Sequence, residues 1–306
     1  MTRWRTLDGR PTRIIAHRGA SGLFPEHSRP AYERAVVDGA DVLEPDLVTS
    51  ADGVLFSRHD AWLSRSTDVA FRSEFADRRE AGVDGRVDWW CDRFSAAELR
   101  SLHAVQSNPQ RDRTHDGRHP LLDFDEVLDI AAAAGLPVYP ELKHPRWFGE
   151  RGNDVAERLI EVLRRRGLVG PAAPVWVQSF EVEALASVRA ALDVPVFPLL
   201  RFESSGPCEA LRRVREATRD FAAGIAVNKR LLFMADAVSW IDDVHAEGAQ
   251  VHAWTFRDDA IAPEFADPVG ELFHAFSLGV DALFCDFPAT GVRARAAFAH
   301  DMTIGA

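Results

Sequence analysis

The sequence predicts an α/β fold, a (β/α)8 TIM barrel with an inserted segment after the second strand. Two observations carry this. Short β-branched or apolar runs alternate with helical patterns almost throughout, which favours a parallel sheet with crossovers. Eight such units over 306 residues match the size of an eight-fold barrel. The composition is ordinary for a globular chain, with 46% hydrophobic and 27% charged residues.

The strands are expected at 13–16, 42–48, 137–141, 174–179, 194–200, 224–228, 250–255 and 281–285. Helices are expected between them at 30–38, 123–134, 153–167, 181–192, 208–218, 234–247 and 268–278, with an eighth at 291–300. Gly167, Gly248 and Gly279 stand where helices should stop. The whole chain, 1–306, is expected to form one catalytic barrel domain. Residues 61–120 break the rhythm: they are charged, carry Trp62, Trp89 and Trp90, and hold one clear helix, 95–103, opened by the capping box Ser95–Glu98. Following a barrel strand, this insertion is expected to cap the C-terminal, active face.

Charge and cysteine content narrow the function. A net charge of −11 argues against a nucleic-acid surface. No apolar run of transmembrane length and no secretory signal are visible, and Cys91, Cys208 and Cys285 are an odd number at unrelated spacings. A reducing, cytoplasmic setting is the expectation.

Chemistry-bearing residues gather at the expected strand ends. The first strand runs into His17-Arg18-Gly19, the third into Glu141-Leu142-Lys143, and the seventh contains Trp254. Asp52-Gly53 between two apolar runs signals a two-residue hairpin loop. With that loop, pair numbers sum to 105 and Asp46 faces His59, while the strand period puts Glu44 and Asp46 on one side. Pro45, which donates no ladder bond, is unexpected there. Glu44, Asp46 and Glu141 would repel one another unless a cation sits between them, and oxygen-only ligation suits Mg²⁺ or Ca²⁺. Arg18 and Lys143 offer positive charge to an anion, and His17 and His59 are proton carriers near neutral pH. Together these describe phosphoryl transfer. Taken singly, His17 reads as a structural histidine, Glu141 and Lys143 as a mutual ion pair, and Trp254 as barrel packing; the strand-end placement favours the site. His115 and His119 share a four-residue spacing, but in a Gly- and Pro-containing segment that argues against a helical zinc pair.

At this point the sequence resembles the glycerophosphodiester phosphodiesterases. The shared strings are Ala16-His17-Arg18-Gly19, Pro25-Glu26-His27-Ser28, Gly39-Ala40-Asp41, Glu44-Pro45-Asp46, Asp52-Gly53, Arg58-His59-Asp60, Arg65-Ser66-Thr67, Glu141-Leu142-Lys143, Gln178-Ser179-Phe180, Trp254-Thr255 and Asp286-Phe287-Pro288. Each is weak alone; in this order they cover most of the chain. The resemblance implies one divalent cation on Glu44, Asp46 and Glu141, and His17 and His59 as the acid/base pair. It also implies Arg18 and Lys143 on the phosphate, Trp254 against the glycerol, and Glu26 orienting its neighbours. The family's Asn after that Glu is His27 here, and its Thr is Ser28.

The implied substrates are small glycerophosphodiesters such as glycerophosphocholine or glycerophosphoethanolamine, cleaved to glycerol 3-phosphate and an alcohol. Two other readings stand beside this one. A lysophospholipase D-like enzyme would need an apolar rim, for which Trp62, Trp89, Trp90, Trp147 and Phe148 are candidates. A non-catalytic barrel would bind metal or phosphodiester without turnover.

Overall fold

A computed structural model describes residues 4–82, 85–203 and 206–304. The remainder of the 1–306 span, including residues 83–84 of the insertion, lies outside the described residues. The eight expected strands form a closed parallel ring. The first, Arg13–His17, pairs with the last, Ala282–Cys285, through Ile14↔Leu283, and with the second through Ala16↔Leu43. Pairing continues through Asp46↔Glu141, Glu141↔Gln178, Val177↔Val196, Ala226↔Leu199, Ile225↔Val251 and His252↔Ala282. The architecture is the expected TIM barrel.

Pro45 divides the second strand into Val42–Glu44 and Asp46–Thr49. The first piece pairs with strand one; the second pairs with Glu141–Leu142 and with an antiparallel hairpin strand, Leu55–Ser57. A residue without an N–H fits this break, and the Pro45 carbonyl still accepts from the Glu141 N–H at 2.8 Å.

The expected hairpin register is corrected by one residue. Leu47 faces Ser57 and Val48 faces Phe56, so pair numbers sum to 104 and Asp46 stands opposite Arg58, whose N–H it accepts at 2.8 Å. The loop is Ala51-Asp52-Gly53, closed by Ser50 N–H to Val54 O at 2.9 Å. Only Gly53 is left-handed, at φ +79°, whereas a two-residue type I′ loop needs positive φ at both positions. His59 reaches the mouth because it lies beyond the end of the hairpin strand.

Helices clothe the barrel close to their expected bounds, from Arg29–Val37 through Phe124–Ala134 to Pro268–Leu278 and Pro288–Ile304. None among the described residues is long and apolar enough to cross a membrane. The insertion helix is Ala96–Ser101, with both hydrogen bonds of its capping box in place. Leu63, Val69, Phe75, Trp90 and Phe94 of the insertion are buried in one cluster with Leu47 and Phe148.

The barrel lumen is filled by Ile15, Val42, Tyr139, Phe197, Ala226 and Phe284. Among them His252 is fully buried, stacked on Phe197 at 4.3 Å. The Tyr139 hydroxyl donates to its Nδ1 at 3.0 Å and its Nε2–H meets Gln250 Oε1 at 3.1 Å. Burial pushes this imidazole down to about 3. Unfolded, it titrates near 6.5, so its stabilising contribution is complete above that value and is lost as pH falls below it. Acidifying from about pH 7 to about pH 5 should remove about 2 kcal/mol through this group. Urea unfolding should show a shallower loss for His252→Gln than for the wild type; equal losses would sink the assignment.

Candidate active site

The mouth of the barrel is built on strand ends. Strand one delivers His17 and, in the next turn, Arg18 at φ +60° and Gly19 at φ +78°. A Cβ on Gly19 would lie 2.6 Å from the Ala31 carbonyl carbon, so only glycine lets this turn pack on the first helix. Of the eight residues singled out from the sequence, His17, Arg18, Glu44, His59, Glu141, Lys143 and Trp254 line one cavity of about 420 Å³. Asp46 is fully buried and bonded to this set.

Glu44, Asp46 and Glu141 are buried, with one oxygen of each within 4.8 Å of the others. Glu44 accepts from the Arg18 N–H at 2.9 Å and from Gln178 Nε2 at 3.1 Å. Burial, with Asp46 and Glu141 alongside, pushes Glu44 well above the usual carboxylate range. Burial and Asp46 likewise push Glu141 up to about 7, against the pull of Lys143. Burial opposes ionisation of Asp46 too, but Lys143, Arg18 and the His27 hydrogen bond outweigh it and hold it well below that range. Asp46 Oδ1 is buried with no hydrogen-bond partner. An all-oxygen donor set with an orphaned carboxylate oxygen fits a hard divalent cation.

Two cations stand against this cluster. Arg18 Nε is 3.1 Å from Asp46 and its Nη1 is 3.0 Å from Glu26. Lys143 Nζ lies 2.7 Å from Glu141 and 3.7 Å from Asp46. The mutual ion pair suggested by the sequence is therefore present, within a larger network. His27 bridges Asp46, through Nε2 at 2.9 Å, to the Tyr32 hydroxyl at 2.8 Å. The ring thus fixes the orientation of a carboxylate in the acidic cluster.

Two imidazoles at the mouth, His17 and His59, each have their own carboxylate. His17 Nδ1 meets Asp286 Oδ1 at 2.6 Å, and His59 Nδ1 meets Asp60 Oδ1 at 2.6 Å. With Nδ1–H donated to the carboxylate, Nε2 is the basic nitrogen of each neutral ring. Burial first, then Arg18, lowers His17; burial, Arg18 and Lys143 lower His59 to about 4. Sequence reasoning gave no role to Asp286, Asp60 or Gln178, although each sits in a quoted string: Asp286 directly after the last strand, Asp60 beside His59. Nothing in the sequence singles out Ser107, which donates to Glu26 at 2.6 Å, or Arg111, which meets Asp286 at 2.5 Å.

The aromatic rim is corrected. Trp89, Trp90 and Phe148 are buried, and Trp147 packs on Trp90 at 5.3 Å. These rings join the insertion to the barrel; Trp62 alone of the five lines the cavity. His115 and His119 stack on each other at 5.9 Å and belong to no metal-competent cluster among the described residues.

A barrel mouth that gathers two carboxylate-held imidazoles, the Arg18 and Lys143 cations and a buried acidic cluster is equipped to hydrolyse a phosphate ester. The profile of the glycerophosphoryl diester phosphodiesterase family matches residues 17–290. The chain belongs to that family and is an enzyme of the phosphodiesterase class. It is 32% identical to a glycerophosphodiester phosphodiesterase of Arabidopsis thaliana, over 89% of this chain and 83% of the relative. It is 27% identical to one from Haemophilus influenzae, over 92% and 88%. In fold it is similar to a phosphodiesterase from Oleispira antarctica solved with the product sn-glycerol-3-phosphate, with a TM-score of 0.68 at 22% identity, covering 94% of this chain and 98% of that one.

A cation bound at the acidic cluster would stabilise the fold by mass action. Adding Mg²⁺ or Ca²⁺ to chelator-treated protein should raise the melting temperature by a few degrees, about 1–3 kcal/mol at saturating ion. Glu44→Gln should abolish that rise; a rise unchanged in the variant would place the ion elsewhere.

Proposed function

We propose that the protein hydrolyses small glycerophosphodiesters, with glycerophosphocholine and glycerophosphoethanolamine as representatives, to sn-glycerol 3-phosphate and an alcohol. The carrying observation is the pair of imidazoles, each held through Nδ1 at 2.6 Å by its own carboxylate, in one cavity with the acidic cluster. Glu44, Asp46 and Glu141 would hold one divalent cation, Mg²⁺ or Ca²⁺, which when bound supplies Lewis-acid charge stabilisation.

The chain's own residues do the rest. Arg18 and Lys143 receive the phosphate anion and stabilise the charge developing on it. Nε2 of one histidine takes the proton from the attacking oxygen as its bond to phosphorus forms. Nε2 of the other gives a proton to the alcohol oxygen as its bond to phosphorus breaks. The acid partner enters protonated, a state the arriving anion favours. The proton balance is the same whether water or the neighbouring glycerol hydroxyl attacks first. Asp286 and Asp60 hold the ring orientations and offset imidazolium charge, as the acid of a catalytic triad does. Trp254, its indole N–H on Ala226 O at 3.2 Å, packs against the glycerol. The insertion, 61–120, caps the active face of one catalytic domain; Trp62 and Arg65 in the cavity wall and the Ser107 and Arg111 bonds support this. The three thiols, all unpaired, support a reducing compartment, and we place the enzyme in the cytoplasm.

Glycerol phosphate release from glycerophosphocholine should stop with chelator and return with Mg²⁺ or Ca²⁺. His17→Ala and His59→Ala should each lose at least about 10²-fold in turnover, with melting temperature and ion response retained. Near-normal turnover in either variant would remove that histidine as a proton carrier. Product-free binding by the wild type with either ion would mean a barrel that binds without catalysis.

A further inference from the structure

Resting on the phosphodiesterase reading, we propose that the preferred substrates carry a second negative charge, a phosphate or a carboxylate, on the alcohol beyond the scissile phosphate. Arg201 and Arg230 would receive it.

Three consecutive barrel strands end in a cation at the mouth. Arg201 follows Val196–Leu200, Lys229 and Arg230 follow Gly224–Asn228, and Arg257 follows Gln250–Phe256. The catalytic cavity opens beside a second one of about 580 Å³, and Trp254, Thr255 and Arg257 line both. Arg201 lines the first and Arg230 the second. In a chain of net charge −11, this arc is a local reversal of sign.

The cations of the arc differ in how far they are neutralised. Lys229 is 2.8 Å from buried Glu271, and Arg257 is 3.2 Å from Asp286. Arg201 and Arg230 are exposed and have no carboxylate partner among the described residues. Instead each guanidinium lies over a ring, Arg201 over Phe180 at 4.1 Å and Arg230 over Phe202 at 5.2 Å. A guanidinium held over a ring keeps N–H donors for a bidentate oxyanion contact and has already lost part of its side-chain freedom.

The same stacking disfavours the opposite charge. A quaternary ammonium is recognised by aromatic faces arranged as a cage. Here Phe180 and Phe202 are covered by the protein's own arginines, and the Trp62 face is covered by Arg86 at 4.4 Å. A cationic alcohol such as choline would meet guanidinium charge where it needs π-electron density.

The test uses the metal-loaded wild type and three substrates: glycerophosphoinositol, the same compound with one phosphate on the ring, and glycerophosphocholine. Two charge-assisted contacts should make kcat/KM at least about tenfold higher for the ring-phosphorylated compound than for its parent, with glycerophosphocholine lowest. Arg201→Gln and Arg230→Gln, at exposed positions, should each reduce that ratio, and the double variant should bring it near one. Equal kcat/KM for the two inositol compounds, or a ratio untouched in the double variant, overturns the proposal. Glycerophosphocholine turned over best, with the ratio near one, overturns it in favour of a cation-accepting site. No turnover of any of the three overturns the phosphodiesterase reading and the anion preference with it.

Discussion

The rest of the site depends on how three carboxylates are kept together in a buried barrel mouth. Like charges at such spacing are tolerated only when each is held and the excess is offset. Here the offset comes from several directions: the Arg18 backbone and Gln178 on Glu44, the Arg18 side chain and His27 on Asp46, Lys143 on Glu141. Glu26 in turn steadies Arg18, and Ser107 steadies Glu26. The local backbone follows the same demand, since Arg18 and His27 both take left-handed conformations, which non-glycine residues adopt only when their surroundings over-determine them.

The barrel is legible in the sequence because its signals are local. Apolar runs recur eight times, Gly167, Gly248 and Gly279 mark helix ends, and the barrel strands fall close to their expected places. Pro45 is the instructive exception. Within one strand it violates a rule; in the structure it marks where the strand changes partners, which depends on residues far away in sequence. The hairpin shows a different limit. Asp52-Gly53 announces a turn but not its length, and a one-residue difference in loop moves Asp46 from opposite His59 to opposite Arg58. His59 still arrives at the mouth, for a reason the pairing arithmetic does not contain.

The candidate site is legible to the extent that its residues sit at strand ends. His17, Glu44, Asp46, Glu141 and Lys143 do so, and their convergence follows from barrel geometry. The residues that hold them are harder to find. Asp286 shares the strand-end signal, but its partner is 269 positions away. Arg111 and Ser107 come from irregular segments of the insertion, where neither period nor capping speaks. His27 lies in a turn, and its bond to Asp46 is visible only once the first turn folds back on the second strand.

The bond between His17 and Asp286 spans the seam where the last strand meets the first. A chain emerging from the ribosome at about 5–20 residues per second presents His17 269 positions ahead of Asp286. Until the eighth strand docks, the His17 imidazole has no carboxylate to set its tautomer. The hydrogen-bonded orientation of this imidazole thus becomes a property of the completed ring, set only when its two ends meet.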